Sequence, residues 1–512
     1  MAVYARAIAA LSLYEERPMY ALQLRSLPRL LPICLTALAL SGCSTGTTST
    51  TTVATTTTTA TAPTVIANLQ PFADTTGSIE TYTTAGSITE SGAFFTALGT
   101  NARTCNSCHQ PAQGMSITPT ALTTLFNSTS GTDPVFDAID GANCPTVATG
   151  NAAGHSLLLN SGLVRIAVTL PASTQFTITT LNDPYGCATT LSSTGQQIVS
   201  VYRRPLPTSG LNYLSNVMWD TRETVAPLNL AATFDANLVT DLTSQMTDAV
   251  STHEQGTLVP TNAQIAAALA FEQGLFSAQA TDTLAGSLSA NGATGGPTNF
   301  AAVNFYPGIN DSLGNDPLGN AFNPAAMSLF TAWNNSTNTQ QASIARGEVL
   351  FNTAPMTITN VLGLPTPVGG IPHASCSFCH DTPNVGNRSF ALPMDTGGAH
   401  QLSAETDANI LAALGQLSAP SLPVYQITGC KVNGVAVTYT TSDPGKALTT
   451  GLCADVSLQK IPILRGLAAR APYFHNGSAT SLAQVVNFYN ARFKMGLNPT
   501  QKTDLVNFLN AL

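Results

Sequence analysis

Apolar positions along the 512-residue chain fall into a few short patterns separated by polar stretches. Residues 263–278, Ala-Gln-Ile-Ala-Ala-Ala-Leu-Ala-Phe-Glu-Gln-Gly-Leu-Phe-Ser-Ala, place apolar side chains at intervals of three and four among good helix formers, which predicts a helix over the whole stretch. Residues 482–489 and 502–512 predict two more helices. Gly92-Ala93-Phe94-Phe95 and Gly347-Glu348-Val349-Leu350-Phe351 each read as a glycine followed by a short apolar helix. Residues 164–178 are rich in β-branched side chains with alternation and predict one small sheet. Gly, Asn and Pro interrupt 281–323, which predicts a long connection. Taken together, the pattern predicts a mainly α fold with long loops and a small β element.

The N-terminal pattern is of another kind. Arg25 and Arg29 precede an apolar run over 30–40 that is too short to span a bilayer as a mature helix. Leu40-Ser41-Gly42-Cys43 then resembles a bacterial lipobox. The resemblance implies a lipoprotein signal over 1–43, a lipid anchor on Cys43 and, because Ser44 and not Asp follows, sorting to the outer membrane. Almost pure Thr, Ser and Ala come next, without an apolar face, which predicts a disordered tether over 44–75. No later stretch is long and apolar enough to span a membrane.

Composition narrows the partners. Only 9% of residues are charged and the net charge is −8, so the chain carries no basic footprint for nucleic acid. Cysteine and histidine are scarce, 10 and 7 in all, yet they combine twice in one strict order: Cys105-Asn106-Ser107-Cys108-His109 and Cys376-Ser377-Phe378-Cys379-His380. Cys-x-x-Cys-His is the attachment signature of c-type haem. Two thiols three positions apart on one turn reach the two vinyl groups of a porphyrin, and the adjacent imidazole ligates the iron. A zinc site would need four converging ligands, and no further Cys-x-x-Cys pair exists to complete one. Two haem c groups are therefore expected, and with them export, because haem c is attached outside the cytoplasm. Cys34 falls in the signal, leaving Cys144, Cys187, Cys430 and Cys453. An even number in an oxidising compartment predicts disulfides, and proximity favours Cys144–Cys187 and Cys430–Cys453.

Further strings resemble one superfamily. Trp219-Asp220-Thr221-Arg222-Glu223 is similar to the Trp-Asp-Gly-Arg motif of bacterial di-haem cytochrome c peroxidases, and Ala471-Pro472-Tyr473-Phe474-His475-Asn476-Gly477 to their Pro-Tyr-Phe-His-x-Gly segment. The order along the chain is also theirs. The resemblance implies two cytochrome c-like domains, 76–335 with the peroxide-reacting haem and 336–512 with the electron-transfer haem. It makes His109 and His380 the proximal ligands and places Trp219 between the haems. Hydrogen peroxide is the implied substrate, with electrons from a redox protein or an organic reductant. The family pocket has a Gln, and a Glu ten positions later. Gln245 matches the Gln, but Gln255 stands at the second position, which leaves its neighbours His253 and Glu254 as acid–base candidates. Leu125 stands where the peroxidases carry a displaceable distal His. Fourteen positions after His475, where those enzymes have a Met ligand, this chain has Tyr489, as in the MauG type, with Met495 and Met394 as the other candidate ligands. The family's inter-domain calcium uses a Thr carbonyl at the position of Arg470, so calcium is a possible further ligand. Beside peroxide reduction stand three alternatives: a MauG-like high-valent oxidase of a protein or organic molecule, a dioxygen-using oxygenase, and a non-catalytic electron carrier.

Overall fold

The computed structural model describes residues 63–365, 374–398, 400–402, 408–432 and 434–512, all within the unit Ala62–Leu512. The signal expected over 1–43, with Cys43, lies outside the described residues, as does most of the expected tether. The tether's last part is described and is folded. Val65–Ala67 runs antiparallel to Ser87–Thr89, and Phe72–Ala73 to Gly77–Thr83. Asp74 makes the reversal between the latter two, its Oδ1 accepting from the backbone of Thr76 and Gly77.

The expectation of a mainly α fold does not hold. Among the described residues thirteen strands form four sheets, all of their pairings antiparallel. One sheet runs in the order Gly286–Ser287, Leu275–Asp282, Gly77–Thr83, Phe72–Ala73; another His400–Leu402, Val435–Thr441, Val424–Val432, Thr177–Asn182; a third Val164–Thr169, Gln197–Arg203, Thr189–Leu191. The predicted small sheet over 164–178 thus divides between two sheets. The physical reason lies in runs such as Gln-Ile-Val-Ser-Val-Tyr-Arg at 197–203, whose β-branched and aromatic side chains fit a pleated, buried surface better than a helix. Val168, Val199, Val201, Tyr425, Ile427 and Tyr439 close one core of this β region. Both expected disulfides form at it, Cys144–Cys187 and Cys430–Cys453.

The helix predicted over 263–278 stops early. Thr261 and Gln264 form a capping box that starts Asn262–Gln273, and Gly274 ends it. A Cβ at Gly274 would lie 2.6 Å from Thr84 Oγ1. The chain then enters the strand Leu275–Asp282, where pairing with Gly77–Thr83 overrides the helical spacing of Leu275 and Phe276. The two C-terminal helices form as Leu482–Arg492 and Pro499–Asn510. Pro499–Asn510 packs on Thr339–Thr353 around Phe351 and Phe508. The crossing needs glycine, since a Cβ at Gly347 would meet the Asp504 carbonyl at 2.1 Å. Gly92-Ala93-Phe94-Phe95 yields only a single 3-10 turn, Ala93–Phe95, with Phe94 packed against Phe271 at 4.7 Å. No helix among the described residues is long and apolar enough to cross a membrane.

Candidate active site

The two Cys-x-x-Cys-His segments fold alike. Cys105–Ser107 is a 3-10 turn and Cys376–Cys379 a short α-helix. In each, the backbone N–H of the histidine donates to the carbonyl of the first cysteine at 3.0 Å. Each histidine then donates from Nδ1 to a carbonyl six residues on, His109 to Met115 and His380 to Gly386. A carbonyl only accepts, so Nδ1 carries the proton and Nε2 keeps a lone pair. Burial pushes both imidazoles down to about 4, which keeps them neutral and able to ligate a metal. Cys105, Cys108, Cys376 and Cys379 are free thiols while the other four described cysteines are paired.

Each segment opens onto a cavity. The two hold about 1380 and 1450 Å³ of empty space when the open solvent at their mouths is included, and apolar side chains make up most of both walls. Two thiols on one turn, an imidazole with a free lone pair and a large, mostly apolar chamber form a donor set that fits haem c in both places. No group of three or more His, Cys, Asp or Glu among the described residues is placed to hold a bare metal ion.

The first cavity gathers Cys105, Cys108, His109, Trp219, Gln245, His253 and Glu254. The second gathers Cys376, Cys379 and His380 with all three candidate ligands, Tyr489, Met495 and Met394. Burial raises the Tyr489 phenol far above the ordinary tyrosine value. Trp219 lines both cavities, as does Lys460. The indole donates from Nε1 to the Arg204 carbonyl at 2.8 Å and meets the His475 ring edge-on at 6.0 Å. The motif around Trp219 is an ionic anchor. Asp220 pairs with Arg203 at 2.5 Å and Arg222 at 3.2 Å; against burial, which raises it, these guanidinium groups pull the Asp220 carboxyl down to about 2. Arg203 also holds Asp443 at 2.7 Å. Glu223 accepts from Ser244, next to Gln245 on the helix Phe234–Thr252.

Some positions do not enter the cavities. Leu125 lies on Pro119–Thr129 in an apolar cluster beside Cys108 and offers no donor atom. The Arg470 carbonyl, where the resemblance puts a calcium ligand, accepts from the Arg204 guanidinium at 3.3 Å. Ionisable residues that the sequence did not single out also line the first cavity, among them Arg103, Asp140, Arg203, Arg204, Glu272 and Lys460. Burial raises Glu272 to about 7 and lowers Lys460 to about 7. Lys460 Nζ donates to the Asn216 carbonyl at 2.9 Å and has no carboxylate partner among the described residues. Arg103 carried one signal, its place two residues before Cys105; the others carried none.

Comparisons with known proteins are sparse. No protein-family model and no solved structure matches the chain. Over 66 residues, 12% of this chain, it is 44% identical to the cytochrome-c peroxidase IdrP2 of Denitromonas iodatirespirans. The match spans 18% of that protein's length. It supports a peroxidase-type cytochrome c and nothing finer.

Proposed function

We propose that the protein is a di-haem c-type cytochrome of peroxidase type that reduces hydrogen peroxide in the first cavity with electrons relayed through the second. The observation that carries this reading is Trp219, a wall shared by two cavities that each hold one Cys-x-x-Cys-His. Haem c, linked to Cys105 and Cys108 with His109, and to Cys376 and Cys379 with His380, would supply the iron for peroxide reduction in one cavity and for electron transfer in the other. The chain's own residues do the rest. The Arg204 carbonyl holds the Trp219 indole, and the ion pairs of Asp220 with Arg203 and Arg222 anchor the chain next to it. Gln245, His253 and Glu254 bring hydrogen-bonding and proton-exchanging groups to the first cavity. The balance is one peroxide, two electrons and two protons to two waters, with the electrons from an outside redox protein or organic reductant. In the same reading 76–335 and 336–512 are the two haem-bearing halves, and the chain is lipid-anchored at Cys43 and exported; the two disulfides are consistent with export alone. Calcium has no assigned role here.

A second reading, MauG-like oxidation of a partner protein or organic molecule, draws on Tyr489 in the second cavity. A phenolate favours ferric iron where a thioether favours ferrous, so Tyr489 as ligand would make that site a poor high-potential electron store. Electron paramagnetic resonance of the ferric holoprotein, before and after peroxide, tests the proposal. A high-spin signal that peroxide removes, beside a low-spin signal, is expected. Two low-spin signals indifferent to peroxide in oxidised and half-reduced samples would leave an electron carrier.

A further inference from the structure

His253 and Glu254 are adjacent in sequence but differently engaged. Glu254 is a bracket. Its Oε2 accepts from the backbone N–H of Leu98 at 2.7 Å and of Gly99 at 3.2 Å, and its own carbonyl accepts from Thr100 at 2.9 Å. Asn101 Nδ2 donates to the His253 carbonyl at 2.9 Å, and Thr100 Oγ1 to that of Gln255 at 3.0 Å. A Cβ at Gly99 would lie 1.8 Å from the Glu254 carbonyl, so only glycine lets the two segments lie this close. The end of the helix Phe234–Thr252 is thereby locked to the residues that lead into Cys105. Burial raises the Glu254 carboxyl above its ordinary value and the two backbone donors only partly offset this, so its role is assigned from geometry: Oε2 is taken up in holding Leu98 and Gly99 in place.

The His253 side chain is free of this bracket. It lines the first cavity and keeps about a third of its side-chain surface open, 33%. Its Nδ1 is hydrogen-bonded to Asp140 Oδ2. A carboxylate only accepts, so Nδ1 carries the proton and Nε2 is the nitrogen left with a lone pair; among the described residues Nε2 has no hydrogen-bond partner. Asp140 is itself fixed. Its other oxygen pairs with Arg103 Nη1, and Arg103 is pinned by the carbonyls of Pro134 at 2.7 Å, Val135 at 2.8 Å and Asp137 at 2.9 Å. Asp140 is buried and comes from a loop more than a hundred residues away in sequence.

We infer that His253 is the proton-transfer residue of the first cavity and that Asp140, fixed by Arg103, is the positioning residue that sets its tautomer and aim. The inference rests on reading this cavity as the peroxide site. One proton of hydrogen peroxide passes to His253 Nε2 and is returned to the departing oxygen as the O–O bond breaks, so that this oxygen leaves as water. The second oxygen becomes water once two electrons from the external donor and two protons from solvent have arrived. Asp140 balances the imidazolium that forms between the two transfers. The charged and titratable groups around the ring are Asp140, Arg103, Arg222, Asp248, Glu254 and His109.

The test uses holoprotein with two haems per chain and His253→Gln, Asp140→Asn, Asp140→Glu and Glu254→Gln variants. Two rates are read against pH: consumption of hydrogen peroxide, and binding of cyanide to the ferric protein, which needs a base to take the proton of HCN but no turnover. His253→Gln is expected to slow both by about 10²–10⁴-fold at unchanged haem content and to abolish the acid limb of the profile. Asp140→Asn is expected to move that limb to lower pH, because the imidazolium loses its counter-charge, and Asp140→Glu to restore part of it. If Asp140→Asn does not fold, His253→Gln and Asp140→Glu still decide. Unchanged rates in His253→Gln, or an acid limb lost only in Glu254→Gln, would overturn the assignment. So would a low-spin first site that turns high-spin in His253→Gln, which would make His253 an iron ligand. A wild-type protein inert to peroxide, yet with cyanide binding that depends on His253, sinks the peroxide reading and leaves the base in place.

Discussion

The two cavities carry the same Cys-x-x-Cys-His segment in mostly apolar walls and differ in how many ionisable side chains those walls hold. Around the first stand Arg103, Asp140, Arg222, His253, Glu254 and Glu272, besides buried Arg203 and Arg204. The second is walled by Phe351, Met356, Ile358, Phe474, Phe493 and Leu509, with His475, Asp395, Tyr473 and the shared Lys460 as its ionisable exceptions beyond the ligand candidates. Proton chemistry needs groups that change charge near the reacting atoms, whereas electron transfer needs a low-dielectric shell that changes little. Under the proposed function the contrast would separate two tasks within one chain, with the shared Trp219 where they meet.

The largest effect comes from taking one side away. Cys105→Ala with Cys108→Ala should halve the covalent haem, read as pyridine haemochrome per chain, and remove the reaction with peroxide. Cys376→Ala with Cys379→Ala should also halve the haem but leave the first cavity able to bind peroxide while turnover with an external donor is lost. If either pair abolishes both properties equally, the two cavities do not divide the work as their linings suggest. Next in size is Trp219→Phe, which keeps an aromatic ring and removes the Nε1 bond to Arg204. Electron passage between the sites should slow by on the order of tenfold, about 1.4 kcal/mol of barrier, seen by stopped flow as a slower second phase after an unaltered first reaction with peroxide. An unaltered second phase would reduce Trp219 to a packing residue.

How far the sequence carried this picture depended on whether a feature was local. The paired motifs, the two disulfides and the Trp219 segment are strings of adjacent or nearby residues, and each Cys-x-x-Cys-His segment lines one cavity together with Trp219. The sheets were less visible, because pairing partners such as Thr177–Asn182 and Val424–Val432 lie far apart in sequence. Part of that signal was nonetheless present. Val432 and Val435 are paired across Asn433-Gly434, a dipeptide that favours tight hairpins, flanked by alternating β-branched residues. The Asp140–His253 pair could not be read, because nothing in either segment marks the other. The order of the chain likewise gave Glu254 and His253 equal standing, and only the close approach at Gly99 shows which of them is occupied.

The smallest predicted effect probes the ionisable lining itself. Glu272 is buried in the first cavity wall, and burial raises its carboxyl from 4.5 to about 7. The folded protein then holds this proton more tightly than the unfolded chain. The stability contributed is fully present below about pH 4.5 and is lost as pH rises through 7. Glu272→Gln cannot ionise, so its stability should match wild type near pH 4.5, rise above it across this window and stay higher beyond pH 7, by up to about 3 kcal/mol of unfolding free energy, read as a higher melting temperature. Lys460 has the opposite sign in the next window. Burial lowers its amine from 10.5 to about 7, so wild-type stability should rise between those values, and Lys460→Met should gain most below pH 7. Melting curves of the two variants against pH should therefore diverge from wild type on opposite sides of neutrality. Parallel curves for Glu272→Gln would mean that a cation or a donor meets the carboxyl in the holoprotein, and the first cavity would then hold one proton-exchanging carboxyl fewer than its lining implies.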